Sequence, residues 1–169
     1  MIDIITAGWG ATQSLRHETL GLIIHGHRAM HAALTRNAHH GISMLVIAKL
    51  ARLAGIDQLH TGTVVGKMEG DEGDVLAVNK FLLSDWYGLK PVLSIASGGL
   101  HPALVSELVR ILGKDVIINF GGGIHGHPDG TLAGARAARQ AVEAAMKKIP
   151  LRKYPENHED LRVALEKWK

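Results

Sequence analysis

Apolar residues gather in five short runs along this chain, at Ile2–Thr6, Leu22–His25, Gln58–His60, Pro91–Ala96 and Val116–Phe120. Each run leads into a cluster of polar or glycine residues, and the stretches between them read as helices. Helices are predicted over Ala11–Leu20, Ile42–Ala54, Asp74–Trp86, from His101-Pro102 to Gly113, and over Thr131–Ile149. The last carries an apolar stripe at Leu132, Ala135, Ala138, Val142, Ala145 and Ile149. Ile42–Ala54 is apolar on nearly every side, broken by Ser43, Lys49 and Arg52. A helix of that kind is expected to be covered on two faces, which hints at a subunit contact and a homo-oligomer. Strand alternating with helix predicts an α/β fold with a parallel sheet. The polar clusters at the strand ends suit the active rim of a (β/α)8 barrel, of which about five units of the eight are present: a partial TIM barrel.

Residues 1–149 are expected to form this partial barrel domain and 150–169 a charged tail. Pro150 and Pro155 break the preceding pattern, and Leu161, Leu165 and Trp168 mark one more short helix. A five-stranded open sheet leaves two edges that ask for a covering partner. The 169 residues allow one domain with a real core, and 46% hydrophobic with 21% charged residues is ordinary for a soluble protein. The net charge of +3 is scattered, which argues against a nucleic-acid partner. Without cysteine there is no disulfide or thiolate chemistry. Neither a signal peptide nor a membrane span is visible, so a cytoplasmic protein is expected.

Three features suit an anion. Gly121-Gly122-Gly123 and Ser97-Gly98-Gly99 follow the last two strands. Glycines there let backbone N–H groups close on a phosphate, in the position where barrels usually seat one; the alternative is a pair of plain tight turns. Lys67, in Gly66-Lys67-Met68-Glu69-Gly70, sits between glycine hinges where a loop cation could close over substrate. His25, His27, Arg28 and His31 form the densest polar cluster, with His60 ending the next strand. His25 and His27 share one face of a strand, which suits a sugar-binding pair or a zinc pair. Against zinc, the later strands end without a carboxylate. His125-Gly126-His127 reads as loop structure, His39-His40 as an exposed helix entry, and His17 and His158 find no partner in the pattern.

At these residues the chain resembles the large subunit of ribulose-1,5-bisphosphate carboxylase/oxygenase, RuBisCO, in its archaeal form. The segments that carry the likeness are GLIIHGHRAMHAALTRNAHHGIS, DQLHTGTVVGKMEGD, SIASGGLHP and NFGGGIHGHPDGT. They run from Gly21 to Thr131, and IDIITAGWGATQSLR extends them to the start. The resemblance implies strands four to eight of the RuBisCO barrel and two substrates, ribulose 1,5-bisphosphate and CO2. It implies that Arg28 and His60 hold the phosphate on carbon 5, that His27 faces the middle hydroxyls with His31 behind it, and that Ser97 bonds a sugar hydroxyl. Gly99, Gly121 and Gly122 would offer amides to the phosphate on carbon 1. Lys67 would stabilise the carboxylate that forms as CO2 adds.

The family's magnesium site, a carbamylated lysine with an Asp-Glu pair, has no KxDE-like counterpart here, and no KPK-like segment supplies the enolising lysine. Mg2+ is therefore implied without ligands in this chain, and the isolated chain is expected to be inactive. Three readings stand. The first is the carboxyl-terminal part of a RuBisCO large subunit that works with its missing half. The second is a non-catalytic sugar-bisphosphate-binding or assembly module. The third is half of a RuBisCO-like enolase or isomerase, which the intact Gly62-Thr63-Val64-Val65-Gly66-Lys67 loop disfavours.

Overall fold

The computed structural model describes residues 1–37, 39–65 and 72–168. Its backbone divides into two units, Met1–Gly62 with Gly70–Ile95, and Thr63–Glu69 with Ala96–Lys169. In chain order the first unit holds β1 (Ile2–Asp3), α1 (Ile4–Ala7), α2 (Trp9–His17), β2 (His25–His27), α3 (Ala32–Thr35), α4 (Met44–Leu53), β3 (Gln58–His60) and α5 (Glu72–Leu83). The chain passes from one unit to the other along β4 (Leu93–Ser97). The second unit continues with α6 (Val105–Leu112), β5 (Val116–Asn119), α7 (Gly122–His125), α8 (Gly130–Met146) and α9 (Glu159–Lys167). Two 3-10 turns, Pro102–Leu104 and Tyr154–Asn157, precede α6 and α9. The strands follow chain order in the sheet, β1-β2-β3-β4-β5. The alternating α/β reading is met.

Register explains which residues face which way. Ile2 pairs with Gly26, Gly26 with Leu59, and Leu59 with Ser94, all parallel. These positions share one face of the sheet, and Asp3, His25, His27, Gln58 and His60 occupy the other by the period of two. Behind the first face lies the core of this unit: Ile4, Ile24, Ile47, Ala48, Ala51, Ile56, Leu59, Val78, Leu82 and Val92. Gly26 fits tightly: a Cβ there would lie 3.1 Å from the Gln58 carbonyl oxygen and 3.2 Å from both Ile4 and Ile56, so these neighbours would have to give by a few tenths of an ångström. Truncating the fully buried Leu59 to alanine would cost about 3 kcal/mol.

Several expectations change. The run Ile2–Thr6 is a strand for two residues and then coils into α1, because β1 pairs with β2 only through Ile2 and Asp3. The Leu22–His25 run starts its ladder at its last residue; Leu22 and Ile23 are about two-thirds exposed, at 68% and 67%. With Met1, Leu15 and Leu20 they line a cavity of about 170 Å³. Arg52, expected as a polar interruption of α4, is buried. It donates to the carbonyls of Phe81, Ser84, Leu89 and Lys90 and lies over the Phe81 and Trp86 rings. The stretch 81–90 has no helix or strand of its own beyond Leu83, and the guanidinium satisfies its oxygens.

In the second unit Val105, Ala141, Ala144, Tyr154 and Leu161 centre the core. The buried stripe of α8 differs from the expected one: Ala133, Gly134, Ala137, Ala138, Ala141 and Ala144 face inward, and Leu132 is 66% exposed. Small residues win because α7 lies so close. A Cβ at Gly134 would sit 2.0 Å from the Ile124 carbonyl oxygen.

Candidate functional site

The first unit assembles the histidines on the open face of the sheet. His25 sits opposite Gln58 in register, and its Nδ1 lies 3.0 Å from Gln58 Oε1. Its Nε2 lies 2.8 Å from His60 Nε2. An amide oxygen only accepts, so His25 donates from Nδ1, and its Nε2 accepts from the Nε2–H of His60. His27 packs against the same ring, with centroids 4.8 Å apart, and donates from Nδ1 to Asp3 Oδ1 at 2.7 Å. Burial, and then the neighbouring His25, His27 and Arg28, push the His60 pKa down to about 4. At neutral pH His60 is therefore an uncharged ring.

Arg28 supplies the fixed charge. Burial pulls its pKa down without approaching neutrality. Its guanidinium lies against the backbone of Gly62, where a Cβ would come within 2.8 Å of an Arg28 terminal nitrogen and where φ is +96°. The positive φ favours glycine there, and a Cβ would also push the guanidinium aside. A turn closed by the Arg28 carbonyl and the His31 amide brings His31 back toward the cluster, with Met30 in the left-handed region at φ 67°. A methionine in that conformation is strained and is held by the structure around it. His31 Nδ1 lies 3.1 Å from Thr35 Oγ1, and burial followed by Arg28, Arg36 and His27 keeps its pKa low.

The described residues thus join His27, Arg28, His31 and His60 in one cluster. They add two members that residue type alone did not suggest, Asp3 and Gln58. Register is the signal that finds them, since both lie beside a histidine on a paired strand. Chemically, the Asp3–His27 pair is a base oriented by a carboxylate. Arg28 is a bidentate donor for phosphate or carboxylate.

In the second unit Ser97 closes β4, and Gly98 and Gly99 follow with φ of +107° and +65°. Gly121 and Gly122 are exposed at the end of β5, and a Cβ at any of these four glycines would meet nothing within 4 Å. Their backbones are open to a ligand. Gly123 differs: it is buried, and a Cβ would lie 2.1 Å from the Leu100 carbonyl oxygen and 2.7 Å from His101 Cα. The turn after β5 therefore rests directly on the turn after β4. The second His-x-His is structural, as expected, and half of it lies in α7 rather than a loop. His127 donates from Nε2 to the Asp160 carbonyl at 2.8 Å and accepts from the Asp129 amide. His158, for which the sequence offered no partner, bonds the Tyr154 carbonyl and stacks on that ring. Lys67 lies outside the described residues.

Among the described residues no three His, Cys, Asp or Glu side chains gather so as to hold a metal ion. Magnesium takes hard oxygen ligands, whereas the first unit's cluster offers ring nitrogens and a guanidinium, with Asp3 committed to His27. The described residues do not fit that ion.

Fold and site together define an α/β protein of parallel strands whose strand ends carry groups suited to anions. Residues 1–168 match the family model for the ribulose bisphosphate carboxylase large chain, catalytic domain, and the chain belongs to that family. It is 54% identical over 170 residues to the ribulose bisphosphate carboxylase of Pyrococcus abyssi, covering 99% of this chain and 40% of that one. The octameric Rubisco of Pyrococcus horikoshii OT3, solved in complex with a sulfate ion, superposes with a TM-score of 0.95 at 53% identity, over 99% of this chain and 40% of that one. The dimeric archaeal Rubisco of Hyperthermus butylicus gives 0.91 at 50% identity, over 99% and 42%. The chain thus spans about two-fifths of the length of the relatives it matches.

Proposed function

We propose that this chain supplies the phosphate-gripping strands and the closing-loop lysine of a ribulose-1,5-bisphosphate carboxylase. That enzyme adds CO2 to the enediolate of the sugar bisphosphate, and hydration and cleavage give two molecules of 3-phosphoglycerate. The observation that carries the reading is the cluster of His25, His27 and His60 on one sheet face, joined by the His25–His60 hydrogen bond and the His27–His60 ring contact, with Arg28 against Gly62. In this reading Arg28 and His60 hold the phosphate on carbon 5, and His31 backs His27. His27 faces the middle hydroxyls, where Asp3 would stabilise the imidazolium formed on accepting a proton. Ser97 bonds a sugar hydroxyl, Gly99, Gly121 and Gly122 present amides to the phosphate on carbon 1, and Lys67 meets the new carboxylate.

The family's magnesium stabilises the enediolate when bound. Here it would come with residues outside this chain, and the isolated chain would not turn over. The octameric and dimeric relatives support a homo-oligomer. No helix among the described residues is long and apolar enough to cross a membrane, and a cytoplasmic setting goes with the reading.

Mixing this chain with one that bears the KPK and KxDE strands should restore CO2 incorporation dependent on ribulose bisphosphate. The isolated chain should give none. A stably reconstituted complex without any fixation would sink the proposal. Calorimetry with the bisphosphate in the absence of metal then decides whether a non-catalytic grip is what remains.

A further inference from the structure

We infer that α9 is the positioning element of the two glycine turns, with Trp168 as its wedge. The inference rests on reading those turns as the phosphate seat, and it concerns a part of the chain to which that reading gives no role. Trp168 follows the last turn of α9, its amide donating to the Ala164 carbonyl at 3.1 Å. Its ring stacks on the His101 ring, centroids 5.3 Å apart and planes 8° from parallel. The indole also reaches the other turn, with Cζ2 3.6 Å from where a Gly126 Cβ would be. One side chain therefore stacks on the segment after β4 and flanks the segment after β5.

Two further bonds fasten the same helix to the second turn. Lys167 Nζ donates to the Gly126 carbonyl, and its cation lies 5.4 Å from the centre of the Trp168 ring. At the other end of α9, the Asp160 carbonyl accepts from His127. The turns themselves are locked by the contact of Gly123 with Leu100 and His101. That contact sets their spacing only while His101 stays in place, and Trp168 covers the His101 ring. Glycine amides have no side chains to hold them in a binding geometry, so their placement must come from the packing around them. In this unit α9 provides it, which makes Trp168 and Lys167 positioning residues rather than phosphate ligands.

The test uses the full chain, labelled with nitrogen-15, and inorganic phosphate as the probe. Phosphate should shift the Gly99, Gly121 and Gly122 amides. Trp168→Ala should weaken that binding about tenfold and speed hydrogen exchange about tenfold at the Ile124, His125 and Gly126 amides. These three amides are bonded to Gly121 and Gly122 carbonyls. Exchange at Ala141 and Ala144 in α8 should not change, which shows that the second unit is folded. Trp168→Phe keeps a stacking ring and should restore both readouts, whereas Lys167→Met, which loses only the bond to the Gly126 carbonyl, should move both in the same direction by less. Trp168→Ala with unaltered binding and exchange overturns the inference. If the unsubstituted chain shows no phosphate-dependent shifts, the phosphate reading of the turns fails, and exchange alone decides on α9: faster supports the positioning role, unchanged removes it.

Discussion

In the proposed reading the two units grip an anion with groups of opposite kinds. In the first, three of the groups are histidines on paired strands, oriented by a partner on a neighbouring strand: Asp3 for His27, Gln58 for His25, His25 for His60. In the second they are bare backbone amides at Gly99, Gly121 and Gly122, with empty space where side chains would be. A side-chain site is ordered by hydrogen bonds across a register. A backbone site has no such handle, and its order depends on what packs behind the turn.

The largest expected effect probes the frame of the first unit. Arg52→Met removes the donor that serves four carbonyls between Phe81 and Lys90, the segment that delivers the chain to β4. Taking a buried, charged donor away from four part-buried carbonyls should cost about 4 kcal/mol, read as a lowered urea midpoint. A loss below about 1 kcal/mol would mean that water replaces the guanidinium and that the segment does not depend on it.

The corresponding probe of the second unit is a pair of glycine substitutions one residue apart. Gly123→Ala drives a Cβ into the Leu100 carbonyl, a backbone atom that cannot step aside, and should cost about 3 kcal/mol. Gly122→Ala meets open space and should stay within about 0.5 kcal/mol. Equal effects on thermal unfolding would show that the turns are not wedged together.

The contrast also explains what could be read from the residues. His27, Arg28, His31 and His60 are chemically conspicuous; the β2–β3 register brings His27 and His60 to one face, and the turn after β2 carries Arg28 and His31. Glycine turns after strands were equally visible. Asp3 and Gln58 were not, because an acid and an amide are common and acquire meaning only once a strand pairing sets a histidine beside them. Arg52 misled because a cation in an apolar helix usually faces water; here it finds carbonyls that no periodicity reveals. The α8 stripe was misplaced for a similar reason, since the close approach of α7 favours alanine over leucine at the contact. Element order came from local periodicity, while the orienting contacts depend on neighbours distant in sequence.

A pH series separates the two sites next. His60 has a folded pKa of about 4 against 6.5 in an open chain. Between those values the unfolded chain binds a proton that the folded one does not. Stability should therefore be full above about pH 6.5 and fall as the pH drops toward 4, by about 3 kcal/mol at most. His60→Gln should flatten that part of the urea-unfolding profile, and Gly122→Ala should leave it alone. A profile unchanged by His60→Gln would place the titrating group elsewhere.

The smallest effect tests whether the first unit is ordered by its side-chain chain or by the sheet alone. Gln58→Ala removes the acceptor for His25 Nδ1–H and should cost about 1 kcal/mol. Its informative readout is the proton position. In the unsubstituted chain, nitrogen-15 shifts should show His25 protonated at Nδ1 and His60 at Nε2, as the 2.8 Å contact between their Nε2 atoms requires. Without Gln58, His25 is free to carry its proton on Nε2, and the two rings would then set N–H against N–H. One of them must turn away, so both sets of shifts should move, and Gln58→Glu, which keeps an acceptor oxygen, should hold them in place. If Gln58→Ala leaves both rings as they were, the strands alone hold the histidines, and the difference between the two units narrows to the kind of atom each presents.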